Sequence, residues 1–424
     1  MPEFVSFYNP PMLTSTLEVL RCPYCGGHLE LVTSSFHRLE GDEIADGIIA
    51  CHCCIFPVID GIPVMHLNEP APAAKDQVEA GRPDLARRAM LNLEGEYISR
   101  FEAVAGSPTA AYRDALAALG PAYESGYFLY RFSDPGYVVA HPLIRAIART
   151  VVDGGRVIDL CGGSGHLTRS LIDLSPQPPV LADLYYAKVW LARRFTAPGC
   201  EAVCCDGNSP FPFARATFRF AVCADAFMFI WTKRQFVQEM LRIIGDGRSG
   251  EAAAITHTHN QLQWSPSLGQ PLPPRGYLDL FETVPARLFS EAALFADVMR
   301  GGPLDLSRRD SDDAIDADPA LMLVASRDER VFQPHQVDHR SAEHGEFRIN
   351  PLYEVEDFGQ FVKLRLSFPD EDYASEFGAC REYLPDALTI DRAALAAMAA
   401  GQLTPELDAF LRRRIILDLP RRYY

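Results

Sequence analysis

The stretch VIDLCGGSG, residues 157–165, decides the reading of this chain. It reads as an apolar strand ending in Asp159, followed by a turn of small residues that leads into LTRSLIDL, where a helix is expected. Glycines in such a turn let the backbone approach a ligand closely, and a following helix N-terminus offers free N–H groups to it. Working outward, RVIDL, PVLADL, EAVCCD, RFAVCAD and AAAITHT read as short strands. YYAKVWLARRF and KRQFVQEMLRII read as helices between them. Apolar strands alternating with helices imply a mostly parallel sheet covered on both faces.

Around that core the chain divides into further regions. Residues 1–68 hold closely spaced cysteines and read as a compact unit, and 69–85 (EPAPAAKDQVEAGRPDL) as a linker. Together with the amphipathic stretch AAYRDALAALG, which stops at Gly120 before Pro121, residues 69–120 form a linker and helical connector. The aromatic segment YESGYFLYRFSDPGY then leads into the helix HPLIRAIARTVV. A further helix near 289–299 and the strand ALMLVAS complete a core of residues 121–330, with SRRDSDDAIDADP as a solvated loop. In residues 331–424, FVKLRLSF alternates as a strand, while DRAALAAMAA and LDAFLRRRIIL read as helices. Thr404 is placed to cap the last helix, with Pro405 at its first position. This region reads as an α+β extension in which no chemistry is recognisable.

Composition narrows the function classes. The 424 residues carry a net charge of −16, and the first 70 hold only Arg21 and Arg38 against nine acids. Nucleic-acid binding draws on basic patches, so small molecules are favoured over nucleic acid as partners. No run of about 18 apolar residues predicts a membrane span. The N-terminus lacks the charged and apolar pattern of a secretion signal, so a cytoplasmic location is the expectation. Five of the eleven cysteines fall within the first 54 residues, a distribution that suits a reduced protein with one metal site better than a disulfide framework. Oligomeric state is not legible.

The strand ends carry the strongest chemical signal. The second strand ends in Asp183-Leu184, about 20 residues after the glycine loop, where an acid can accept from ribose hydroxyls. The third ends in Asp206-Gly207, followed by NSPFPFARATF and the fourth strand. Over about 110 residues this resembles the class I S-adenosylmethionine-dependent methyltransferases. The resemblance implies a doubly wound, mostly parallel, seven-stranded α/β sheet and a cofactor site built on Asp159, Cys161, Gly162, Gly163, Gly165, Asp183, Leu184, Asp206, Gly207 and Asp225. It implies that Asp206 meets the adenine amino group. Three features depart from the family pattern: Cys161 replaces the first loop glycine, Arg219 the usual Asp before strand four, and GDGRSGE the usual glycines before strand five.

Cys22-Pro-Tyr-Cys25 pairs with Cys51-His-Cys-Cys54 across a hairpin-length stretch. Two such knuckles can wrap four thiolates around zinc, and in so small a unit the metal would contribute folding free energy. LRCPYCGGHLEL and IIACHCCIFPVIDGIPVM resemble the zinc-ribbon activator subunits of tRNA and protein methyltransferases, here fused to the enzyme. The expected ligands are Cys22, Cys25, Cys51 and Cys54 to a structural zinc, with His52 or Cys53 as alternates for one. The resemblance also implies that residues 1–68 dock on the core, with Ile62, Val64 and Met65 among the contacts.

The fifth strand runs into THTHNQ, placing His257, His259 and Asn260 at the ligand-binding edge of the sheet. One of the two histidines is expected to point towards that edge, as a base for an attacking hydroxyl or amine. Tyr127 joins His257 and His259 as a catalytic candidate, with Asp225, Asn260, His141, Tyr123 and Tyr130 behind them. The expected reaction is methyl transfer to a small metabolite or natural-product acceptor. Its rivals are an RNA methyltransferase using the ribbon for recognition, and a cofactor-binding protein with a different reaction or none.

Overall fold

The computed structural model describes residues 9–120, 125–245, 250–265, 269–338, 345–402 and 404–424. The N-terminal unit is an antiparallel arrangement of β1 (Glu43–Ala50), β2 (Ile55–Ile59) and β3 (Ile62–Pro63), preceded by a short helix, Thr14–Val19. The stretch read as a linker is helical instead. Its α1 (Ala71–Glu79) buries Ala71, Ala74 and Val78, a face of period 3.6 that small side chains let settle on β1 and β2. Helices α2 (Pro83–Leu91), α3 (Glu96–Ala105), α4 (Tyr112–Leu119) and the long, buried α5 (Pro135–Val151) lead to the core.

The core sheet contains β4 (Arg156–Leu160), β5 (Val180–Asp183), β6 (Glu201–Cys204), β7 (Phe218–Ala224), β8 (Ala252–His259), β9 (Ala286–Ser290) and β10 (Ala320–Ser326). Its order is β9-β10-β8-β7-β4-β5-β6, with seven strands. Only β10 runs antiparallel to its neighbours. The fold is therefore the expected doubly wound α/β sheet. Its strand order reverses between β4 and β7, where such sheets open a ligand crevice at the C-terminal ends of the strands. Helix α6 (Tyr186–Leu191) follows β5; α7 (Lys233–Ile244) follows β7 and buries Phe236, Val237, Met240, Ile243 and Ile244 on one face; α8 (Glu291–Arg300) follows β9 and is capped by Ser290.

LTRSLIDL forms only a single 3-10 turn, Thr168–Leu171. Its side chains are drawn sideways: Arg169 reaches the carbonyl and carboxylate of Asp418 at 2.7 and 3.1 Å, and Asp173 is taken by Arg145. YYAKVWLARRF widens after α6 into a π turn, Ala192–Thr196.

The C-terminal region holds β11 (Glu346–Ile349), β12 (Tyr353–Asp357), β13 (Phe361–Leu366) and β14 (Ala387–Asp391). Helix α9 (Pro405–Arg412) is capped by Thr404, whose hydroxyl accepts from the Leu407 N–H. The expected helix through RRRIIL stops there, because Arg414 adopts a positive φ and Ile416–Leu419 becomes β15, paired with β11. The extension folds back onto the core. Tyr423 is buried against Tyr112 and Phe132, and its hydroxyl lies 2.9 Å from His166 Nε2 just after the glycine loop.

The N-terminal unit is docked along the β6 edge. Val64 bridges Cys204 in parallel and the Met65 N–H donates to the Cys204 carbonyl at 2.7 Å, so the chain after β3 covers an otherwise open sheet edge. Ile62, Val64 and Met65 are all buried, as the docking expectation requires. Among the described residues no helix is long and apolar enough to cross a membrane.

Candidate functional site

The glycine loop sits at the switch point. Cys161, where a glycine was expected by resemblance, has a φ of 58°, so a cysteine here holds a backbone conformation that glycine adopts more cheaply. Gly163 also has positive φ, and a side chain added there would meet nothing within 4 Å. That glycine is thus set by conformation and by open space towards the crevice, not by packing. At Gly165 the opposite holds, since a Cβ would lie 2.8 Å from Ala192.

The strand-end acids converge on this loop. Asp183 Oδ2 accepts the Gly163 N–H at 3.0 Å, and Oδ1 accepts that of Tyr185 at 2.9 Å. Each oxygen keeps a lone pair for a further donor. Asp159 is fully buried; Oδ2 accepts from Thr168 at 2.6 Å, while Oδ1 has no protein partner among the described residues. Burial pushes its carboxyl up to about 7. Asp206 accepts the Asn208 N–H at 2.8 Å and lies 3.5 Å from Asn68 Nδ2. Gly207 lies against Cys161, and Leu184, partly exposed, accepts from the Cys204 thiol.

A second cluster occupies the ends of β7 and β8. One ligand atom from each of Asp225, His257 and His259 lies within 4.8 Å of the others, so both histidines join the cluster and not one alone. The β8 register shifts between Ile255 and Thr258, and His257 and Asp225 both have positive φ. His257 Nδ1 is 2.9 Å from Glu291 and Nε2 is 3.9 Å from Asp225 Oδ1. Asp225 Oδ2 binds Arg131 at 2.6 Å and accepts from Tyr127 at 3.4 Å. Arg131 in turn holds Asp134 at 3.1 Å.

These contacts separate the titrating groups. Burial alone would lower His257, but Glu291 and Asp225 reverse this and push it up to about 9. Burial and the neighbouring His257 charge pull His259 down to about 4. Burial would raise Asp225, yet Arg131 and His257 hold it below the usual carboxylate range. Burial drives Tyr127 well above an ordinary phenol. The two histidines, equivalent in sequence, are thus inequivalent in the site.

Other candidates fall elsewhere. Asn260 is buried and donates to the carbonyls of Ile315, Asp316 and Asp318, a role in holding a loop. His141 is buried on α5, 2.7 Å from Ser170. Tyr130 stacks edge-on against Tyr373, and Tyr123 lies outside the described residues. Sequence reasoning missed Arg131 and Glu291; Arg131 stands inside the quoted aromatic segment, but nothing local marks its partner.

In the N-terminal unit, Cys22, Cys25, Cys51 and Cys53 bring their sulfurs together. Sulfur separations are 3.7 Å for Cys22–Cys53, 3.6 Å for Cys25–Cys51 and 3.5 Å for Cys51–Cys53. Four thiolates about 2.3 Å from a tetrahedral zinc stand roughly 3.8 Å apart, so the set fits that ion. The fourth member is the alternate Cys53. Cys54, the expected ligand, lies outside this mutual set with its sulfur 3.4 Å from that of Cys53, its backbone carbonyl being tied to the Cys51 N–H. All eleven cysteines are free thiols.

No protein-family model matches the chain, and no curated protein matches it. Among solved structures it is similar to a Haloferax volcanii methyltransferase complex with the Trm112 methyltransferase activator, at 18% identity and a TM-score of 0.36, covering 52% of this chain and 99% of that one. It is similar to a Haemonchus contortus phosphoethanolamine N-methyltransferase 2 in complex with S-adenosyl-L-methionine, at 15% identity and a TM-score of 0.37, covering 52% and 61%. A Bacillus halodurans methyltransferase matches at 15% identity and a TM-score of 0.30, covering 44% and 98%.

Proposed function

We propose that this chain is an S-adenosylmethionine-dependent methyltransferase acting on a small-molecule acceptor in the cytoplasm, with a structural zinc in residues 1–68. The observation that carries this reading is the glycine loop at the sheet's switch point: Gly163 leaves open space, and Asp183 fixes its N–H while keeping lone pairs for ribose hydroxyls. Gly207 lies beside that loop, against Cys161, and this reading gives Asp206 the adenine amino group. The cofactor's sulfonium supplies an electrophilic methyl carbon. An acceptor nucleophile held in line with that carbon would form its bond as the carbon–sulfur bond breaks, releasing S-adenosylhomocysteine. The chain contributes mainly proximity and orientation. The Asp225–His257–His259 cluster, at the neighbouring strand ends, is the part suited to hold and orient the acceptor.

The four-thiolate set leaves no open ligand position, which supports a structural role for zinc. The first 70 residues hold nine acids against two arginines, a balance poorly suited to gripping phosphate, which supports a small acceptor over RNA.

Calorimetric titration of the full chain with S-adenosylhomocysteine tests the reading. Micromolar binding is expected, weakened by about 1–3 kcal/mol in Asp183→Ala, the cost of leaving polar ribose hydroxyls unpaired. No binding by the folded wild-type chain would defeat it.

A further inference from the structure

We propose that Asp225, His257 and His259 bind a divalent first-row transition metal ion, a site separate from the ribbon cysteines. The inference deepens the methyltransferase reading and rests on it for the ion's role. Two imidazoles and one carboxylate on adjacent strand ends form a facial three-ligand set, and one atom of each already lies within 4.8 Å of the others. Ligands on an ion with bonds of about 2.0–2.1 Å stand roughly 3.0–3.4 Å apart, so the 3.9 Å between His257 Nε2 and Asp225 Oδ1 needs only a small contraction.

Each ligand is aimed by a second contact. Glu291 takes His257 Nδ1, which turns Nε2 towards the cluster, as carboxylates do behind metal-bound histidines. Ser265 Oγ lies 2.9 Å from His259 Nδ1 and orients that ring. Arg131 and Tyr127 both engage Asp225 Oδ2, so the oxygen that faces the histidine is Oδ1. Arg131 places a positive charge near the site, and Asp134 shares that charge from its far side. Two imidazoles in the set select against magnesium and calcium, which prefer oxygen ligands alone.

Three protein ligands leave positions for an acceptor. An acceptor hydroxyl bound there would lose its proton to solvent more easily, because the ion acts as a Lewis acid. The resulting oxygen would form its bond to the methyl carbon as the carbon–sulfur bond breaks, the electron pair leaving on sulfur. The substrate class is then a hydroxyl-bearing small molecule, and the histidines serve as ligands in place of a general base.

The test uses the full chain with its ribbon saturated with zinc, titrated with Co(II) at neutral pH. One equivalent is expected, with visible d–d bands and without thiolate charge transfer, and at least tenfold weaker binding in His259→Ala and in Asp225→Asn. The second variant preserves side-chain shape should the first misfold. Absence of a Co(II) site in the wild type, or unchanged affinity in both folded variants, overturns the proposal. S-adenosylhomocysteine binding measured on the same samples separates the two claims. Nucleoside binding without cobalt removes the metal site alone, and cobalt without nucleoside binding keeps the site while removing the reaction it was given.

Discussion

Asp60 offers a sharp test of whether the N-terminal unit and the sheet fold as one body. It sits in the turn between β2 and β3, nearly fully buried, with a φ of 50°. Its carboxylate accepts from Arg87 on α2 and from Trp190 Nε1 on α6, both at 3.1 Å. The turn is held further by α6 and the residues after it: Tyr186 donates to the Ile59 carbonyl at 3.1 Å and Arg193 to that of Gly61 at 2.8 Å. Asp60→Ala would strand a buried guanidinium and an indole N–H. Breaking a buried ion pair costs about 3–5 kcal/mol, and Asp84, which also pairs with Arg87, places the loss towards the lower end. Alanine in the left-handed region adds about 1 kcal/mol. Asp60→Asn keeps one acceptor and tolerates that backbone, so roughly 1–3 kcal/mol is expected. Urea unfolding of the zinc-loaded full chain, followed by tryptophan fluorescence and far-ultraviolet circular dichroism, measures both variants. An alanine variant within about 1 kcal/mol of the wild type, or an asparagine variant as costly as alanine, would refute the latch between ribbon and sheet.

Three other outcomes are expected. The purified chain should carry one zinc on Cys22, Cys25, Cys51 and Cys53, and Cys53→Ser should lower zinc content by elemental analysis while Cys54→Ser leaves it unchanged; the reverse pattern would restore Cys54. Gly163→Ala should cut S-adenosylhomocysteine affinity more than tenfold by calorimetry while its melting temperature falls little, since the added methyl enters open space and the backbone strain is about 1–2 kcal/mol; undiminished affinity would mean that the loop does not meet the nucleoside. Asp159, pushed up to about 7 by burial, binds a proton in the folded chain where the unfolded chain has lost it. Its contribution to stability should therefore fall as pH rises from about 4 to about 7, and Asp159→Asn should flatten that part of the unfolding profile; an unaltered profile would show the carboxyl to be ionised throughout.

Much of the core was legible because its signals are local. RVIDL became Arg156–Leu160 and KRQFVQEMLRII became Lys233–Ile244 without change of boundary, since an unbroken apolar run and a 3.6-residue stripe are fixed by side chains a few positions apart. The misreadings share a different cause. LTRSLIDL has a helical pattern, but Arg169 and His166 are claimed by Asp418 and Tyr423, some 250 positions downstream. RRRIIL continues a helical pattern too, yet β11 was waiting as its partner strand. Residues 71–79 looked like a linker by their proline and alanine content, and became a helix because small residues on one face suit close contact with a sheet.

The site divides along the same line. Asp159, Asp183 and Asp206 could be brought together from sequence because each stands within two residues of a strand's C-terminal end, and parallel strands bring those ends to one edge whatever else the chain does. The glycines were readable because their backbone demands are local. Arg131 and Glu291 were not, for they come from α5's approach and from α8, and only the sheet order β9-β10-β8-β7 carries Glu291 round to His257. Those two residues nevertheless shape the cluster: Glu291 holds the His257 ring and makes the histidine pair unequal, and Arg131 takes Asp225 Oδ2, leaving Oδ1 to face His257. A motif such as THTH therefore specifies which chemistry is present at the edge, while residues far away in the chain decide how it is used. The same division holds in the ribbon. Paired knuckles announce four thiolates, but whether Cys53 or Cys54 turns inward depends on the backbone bond from the Cys51 N–H to the Cys54 carbonyl, which spacing alone leaves undetermined.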